Sequence, residues 1–348
     1  MADTRDEHRY GRGHEDGLEP LAPLDPGAAT SVDALVRAMS RTAFGGRRLG
    51  EAADVLEAMV RDSHCYRVLT ISGAMTIAKQ GLLVCEMIDR GWVHAIVTTG
   101  ALMTHGLSEG AGMLHFKHRP EMRDEELYAK GYNRVYDTIE LEQNLDDAER
   151  ILQQALGELP DDTTLCSRLV CERLGRWLEK HVEGRAILSS ASRRGVPVYV
   201  PAFTDSELGL DVAIFNQARA ARGERPLPFN PYLDLEDFTA RVRAHETLGI
   251  FTIGGGVPRN WAQQVGPYLE IQRVRLNRPE PLRRYKYAVR ICPEPDHWGG
   301  LSGCSYDEGV SWGKFLPRSE GGRQAEVYAD ATIAWPMVVR AVIERLDA

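Results

Sequence analysis

Several features are scarce in this 348-residue sequence, and each scarcity closes off a class of function. No stretch approaches the roughly eighteen consecutive apolar residues that a membrane-spanning helix needs, so no span is expected. No basic run is sustained and the formal net charge is −8, which argues against a nucleic-acid partner. The six cysteines (Cys65, Cys85, Cys166, Cys171, Cys292, Cys304) have no CxxC spacing. Most sit in apolar settings such as "LLVCEM" and "LVCERL", where cysteine behaves as a small buried hydrophobe. A reduced, cytoplasmic setting is therefore expected, and the charged opening "MADTRDEHRYGRGHEDG" carries no signal-peptide pattern. Motifs are missing as well. No G-x-G-x-x-G follows any strand, and neither a G-x-S-x-G elbow nor a Cys/His pairing stands out for acyl transfer.

What is present is ample core material, with 43% of residues hydrophobic. Residues 1–30 are polar and rich in Gly, Pro and acids, and predict a flexible or loosely docked arm. Residues 31–348 predict one large α/β domain with N-terminal helical additions. "SVDALVRAMSRTAF" is a helix with Ser31 placed to cap it, and "LGEAADVLEAMVRDS" is a second. From residue 67 short β-branched runs appear, each ending in small residues: "RVLTISGA", "HAIVTTGA", "VPVYVPAFTD", "GIFTIGGG" and "AEVYADA". Amphipathic stretches such as "MTIAKQGLLVCEMIDRG" and "LCSRLVCERLGRWLEKH" separate them. Strands buried on both faces and alternating with helices predict a mostly parallel sheet covered by helices. Ligands gather at the carboxyl ends of such strands. The charged segment 117–165 reads as an excursion outside that sheet.

At those strand ends, "TIGGGVP" either lets a backbone approach a phosphate or ribose or makes a tight strand-to-helix turn. Asp205 in "FTDSELG" and Asp330 in "YADAT" either hold ribose hydroxyls or cap the next helix. "HFKH" places His115 and His118 three apart with His105 nearby. No carboxylate stands at a matching helical spacing, so no metal is expected and these are read as solvated or hydrogen-bonded histidines. "DEGVSWGKFLP" sets Lys314 among Ser311, Trp312 and Phe315, six residues past Glu308. Either the aromatics are core beside a helix start, or the lysine is desolvated and its neutral amine is a nucleophile.

Taken together, "EGVSWGK", "PAFTDSELG", "IGGGVPRN", "YADAT" and the early "RTAFGGRRLGEAADVL" resemble the deoxyhypusine synthase family from about residue 31 to the end. The resemblance implies a Rossmann-like NAD enzyme that oxidises a polyamine to an imine. A motif lysine then captures the aminobutyl group and passes it to an acceptor amine. It makes Lys314 the covalent lysine, Glu308 a contact to the substrate amine, and Trp312 a wall of the polyamine tunnel. Asp205, Gly255, Asp330 and Ala331 match NAD-contacting positions, as do Thr99, Gly100 and Ala101 less specifically. It also implies a homotetramer with active sites shared between subunits.

The departures redirect the substrate. Thr104 and His105 stand where the protein-modifying enzymes carry two adjacent acids, and Asn260 stands where a histidine is expected. Gly299, Gly300 and Leu301 replace an acidic loop, and an acid is displaced by one to Asp211. This is similar to the prokaryotic branch of the family, some of whose members make homospermidine. His105, Asn260 and Asp211 are thus candidate substrate contacts for a small polyamine such as putrescine, spermidine or agmatine. The alternatives are modification of a translation-factor lysine with spermidine, and a non-catalytic NAD- or polyamine-binding protein.

Overall fold

The computed structural model describes residues 10–348, so the first nine residues of the expected arm lie outside it. Residues 10–30 run largely exposed, with two short 3-10 turns at Gly13–Asp16 and Pro26–Ala28. Ala22 N donates to Arg41 O at 3.0 Å and tacks this stretch to the body. Ser31 then caps the helix Val32–Ser40 by accepting from Ala34 N at 3.1 Å, and the helix Phe44–Arg61 follows.

The described residues form nine strands: β1 (Cys65–Ile71), β2 (Ala95–Thr98), β3 (Phe116–Lys117), β4 (Tyr132–Val135), β5 (Thr138–Leu141), β6 (Val198–Tyr199), β7 (Thr247–Ile253), β8 (Tyr285–Ile291) and β9 (Arg323–Val327). Six of them make one sheet in the order β6-β2-β1-β7-β8-β9, with every pairing parallel. The chain lays strands outward from β1 to β6, then returns to start β7 on the other side of β1. The reversal opens a crevice between the carboxyl ends of β1 and β7, where doubly wound folds bind ligands.

Burial on both faces explains the apolar runs. Leu69 and Ile71 of β1 enter the larger core, with Leu56, Val338 and Trp335. Tyr66 and Val68 enter a smaller core on the opposite face, with Phe238, Ala262 and Phe315. One strand escaped the sequence reading. In β8, "YKYAVRI", Lys286 and Arg290 break the apolar run, yet Arg290 is only 1% exposed. The segment 117–165 does leave the main sheet, forming the antiparallel order β3-β5-β4. Its helix Glu142–Gly157 returns to bury Ala148, Ile151, Leu152 and Leu156 in the larger core. No helix among the described residues is long and apolar enough to cross a membrane.

The two ends of the domain are joined by a buried charge. The Arg345 side chain, on the last helix Ala331–Asp347, is fully covered and contacts Asp33 at 2.5 Å, Asp54 at 2.7 Å and Glu57 at 3.1 Å. Carboxylates on Nε and one terminal nitrogen offset the cost of covering the guanidinium charge. Replacing Arg345 with Ala should cost on the order of 3 kcal/mol, because it strands carboxylates in a half-covered pocket. Urea unfolding measures this, and an unchanged midpoint would contradict it.

Candidate active site

Lys314 is held from both sides by backbone. Ser305 caps the helix Tyr306–Ser311 by accepting from Glu308 N at 3.1 Å. Gly313, at φ +69°, turns the chain out of that helix in a conformation a side chain would resist. Lys314 N donates back to Gly309 O at 3.1 Å. Beyond the turn, Tyr285 N donates to Lys314 O and Leu316 N donates to Tyr285 O, each at 2.9 Å, which docks the segment on the start of β8. Phe315, fully buried, packs against Tyr285 and Tyr306.

The lysine side chain is itself buried at 7% exposure, and Nζ donates to Asn260 Oδ1 at 3.1 Å. Burial lowers its pKa from the ordinary lysine value. The Arg259 charge pushes the same way, while Cys304 and Glu308 oppose it. The expected aromatic enclosure is one-sided. Nζ lies 6.0 Å from the Trp312 ring centroid, but Trp312 is 64% exposed, so the covering comes mainly from elsewhere in the protein body.

Lys314 opens into a cavity of about 280 Å³ shared with Glu308, Trp312, Asn260, Gln263 and Gln264. Its other wall is the loop carrying Asp296, Gly299, Gly300, Leu301 and Cys304. Two buried guanidiniums clamp that loop. Arg259 donates to Ser302 O at 3.3 Å and Cys304 O at 2.5 Å; Arg290 donates to the same oxygens at 2.5 and 3.1 Å. Trp298 and Leu301 remain 72% and 48% exposed at its tip.

The same loop meets the triple glycine. A Cβ on Gly255 would stand 2.6 Å from Ser302 Cα, so only glycine fits there. Gly255 N donates to Ser72 Oγ at 2.8 Å, joining the ends of β7 and β1 across the crevice. The remaining candidate cofactor positions lie along the same carboxyl edge. Thr99 follows β2 and caps the helix Gly100–Gly110, with Ala101 in its first turn. Asp205 is exposed in the segment after β6. Asp330 follows β9 and caps the last helix at Ala331, accepting from Thr332 N at 2.7 Å and Thr332 Oγ1 at 2.9 Å through one carboxylate oxygen. An edge with a glycine admitting close backbone approach, exposed acids and helix N-termini fits a dinucleotide.

Two candidate substrate residues are elsewhere in the chain. His105 Nδ1 lies against Glu140 Oε2, and His115 Nε2 is 3.2 Å from Glu140 Oε1. Sequence reading missed this group because Glu140 follows His115 by 25 residues and reaches it through β5, at no helical spacing. His118 is not part of it. The histidine contacts outweigh the effect of burial and hold the Glu140 carboxyl at about 2. Asp211, on the helix Glu207–Ala221, is 3% exposed. Burial first, then the charges of Glu207 and Glu149, push its carboxyl up to about 7. Neither His105 nor Asp211 lines the Lys314 cavity.

Comparison with known proteins places the chain in a family. A family model for deoxyhypusine synthase matches residues 34–342. The chain is 31% identical over 329 residues to "Probable deoxyhypusine synthase 2" of Methanosarcina acetivorans, covering 94% of this chain and 90% of that protein. It is 29% identical over 313 residues to "Deoxyhypusine synthase-like protein" of Chlorobaculum parvum, covering 88% and 85%. In fold it is similar to a crystal structure of an Entamoeba histolytica protein carrying the deoxyhypusine synthase name. That match has a TM-score of 0.60 at 13% identity and covers 93% and 97% of the two chains. The chain belongs to the deoxyhypusine synthase family, whose enzymes are NAD-dependent transferases.

Proposed function

We propose that this protein transfers an aminobutyl group between free amines through a covalent imine on Lys314, forming homospermidine or a related polyamine. The observation that carries the reading is a buried lysine of lowered pKa facing a small cavity together with Glu308, with Asp296 on the opposite loop. Bound NAD would supply a reversible hydride acceptor for the carbon beside a donor nitrogen. The neutral Lys314 amine adds to that carbon, and the donor's other fragment leaves as an amine that takes up a proton. The acceptor amine then displaces the lysine from the same carbon. Asn260 accepts one N–H of Lys314 without fixing a charge on it, which leaves the nitrogen lone pair available for attack. Glu308 holds the distal ammonium of the substrate by a charge-assisted contact. Gly255, Asp205, Asp330 and Ala331, with Thr99, Gly100 and Ala101, hold the dinucleotide along the strand ends.

A small free amine fits the cavity wall better than a long triamine. Gly299, Gly300 and Leu301 bring no charge to that wall, which leaves Asp296 as its one acid and favours putrescine or agmatine over spermidine. Transfer from spermidine to a protein lysine is the second reading, favoured by the relatives' names. We place the enzyme in the cytoplasm as a homotetramer. His105 and Asp211 then reach a neighbouring subunit's cavity, which accounts for their separation from Lys314.

Incubating enzyme and NAD with a panel of di- and polyamines, with products read by mass spectrometry and borohydride trapping, should give a polyamine product and a reduced adduct on Lys314. Lys314→Ala should abolish both while leaving NAD binding intact. Exclusive modification of a protein lysine would overturn the free-amine reading, and turnover by Lys314→Ala would overturn the covalent step. Asp330→Ala should weaken NAD binding by about 1–3 kcal/mol as a charged hydrogen bond is lost. Unchanged affinity by calorimetry in the folded variant would refute that contact.

Asp211 makes a pH-dependent prediction. Its folded pKa of about 7 lies above the ordinary 3.8, so between these values the native state holds a proton that the unfolded chain releases. Stability from this group is full below the lower value and is lost as pH rises toward the upper one. Asp211→Asn should therefore raise the thermal midpoint more at pH 8 than at pH 5. An equal shift at both would show that the carboxyl ionises normally.

A further inference from the structure

We propose that His105, His115 and Glu140 form a site for a first-row divalent transition-metal ion, zinc being the natural occupant of such a donor set. The donor atoms, Nδ1 of His105, Nε2 of His115 and the Glu140 carboxylate, all lie within 4.8 Å of one another. They come from three separate segments: the helix Gly100–Gly110, the turn before β3, and β5. The side chains of His115 and Glu140 are 1% exposed and that of His105 is 21% exposed.

The decisive observation is an orphaned atom. His105 Nδ1 is buried and pressed against Glu140 Oε2, yet the two are not aligned for a hydrogen bond. Two electron-rich atoms meeting off the hydrogen-bond axis are what a shared cation resolves. A covered carboxylate also needs charge compensation, which a divalent ion supplies directly. Two imidazoles and a carboxylate suit zinc and its neighbours, and the exposed side of His105 leaves room for a water ligand. The competing arrangement is a metal-free chain in which Lys79, 2.7 Å from His115 Nδ1, donates into the imidazole. Metal at Nε2 puts the His115 proton on Nδ1, so Lys79 must withdraw. Its side chain is 47% exposed and already lies 3.4 Å from Glu109, which can receive it. The ion would fasten the helix Gly100–Gly110 to the β3–β5 excursion through the same His105 that the transferase reading offers to substrate.

The test uses the untagged full-length chain, stripped with a chelator and equilibrated separately with zinc and with cobalt(II). One ion per chain is expected by elemental analysis, with visible cobalt bands of low coordination number. His105→Ala, His115→Ala and Glu140→Gln should each lose the ion, while His118→Ala keeps it. Circular dichroism establishes folding, and His105→Ala, the most exposed of the three positions, decides the matter if the others misfold. A folded wild type that takes up neither ion overturns the proposal in favour of the hydrogen-bond chain. So does uptake that survives in folded His105→Ala, which would place the ion elsewhere.

Discussion

The site depends on one arrangement, two buried guanidiniums sharing the carbonyl oxygens of Ser302 and Cys304. The loop that carries these carbonyls has little regular structure to satisfy them, and buried carbonyls without donors are costly. Arg290 projects from β8 and Arg259 from the helix after β7, so the sheet and a helix hold the loop together. Arg290 is balanced in turn by Glu326 of the neighbouring strand. Because Ser302 abuts Gly255, the loop that walls the lysine cavity also sets the width of the crevice at β1 and β7. The crevice between β1 and β7 and the Lys314 cavity are thereby parts of one construction.

That construction also tunes the lysine. A primary amine in water is protonated and unreactive near neutral pH, and covering it disfavours the charge. Burial supplies most of the effect here and the fixed Arg259 cation adds to it, while Glu308 limits it. The partner at Nζ is an amide oxygen, which accepts a proton from either charge state. An acid in that place would return the amine to its charged form. The departure at Asn260 is therefore compatible with a working nucleophile.

The cationic side of the chemistry is divided within the chain. Glu308 stands in the Lys314 cavity, whereas Asp211 lies in a separate acidic group, its carboxyl pushed up to about 7 by burial first and then by the charges of Glu207 and Glu149. Acids that repel one another in the absence of ligand bind a cation with a larger gain than isolated ones, because the cation relieves the repulsion.

Much of the fold was legible in the sequence because burial on both sheet faces writes continuous β-branched runs, as in β1 and β7. β8 was not, since its charges Lys286 and Arg290 only make sense once the 302–304 loop and Glu326 surround Arg290. Lys314, Glu308 and Asn260 were legible as a local motif plus a glycine turn, and the structure brings them to one cavity. The exposure of Trp312 was not, because an aromatic beside a lysine reads as covering whether or not the chain folds it inward. Asp330 satisfied one of its two expectations outright, capping the last helix, since an acid past a strand meets free N–H groups wherever a helix follows. The sequence by itself determined the alternation of strands and helices and the motif around Lys314, both of which depend on neighbours in the chain. Only the tertiary structure decided that His105 meets Glu140 and that two arginines hold the cavity loop, because those contacts join segments whose spacing carries no period.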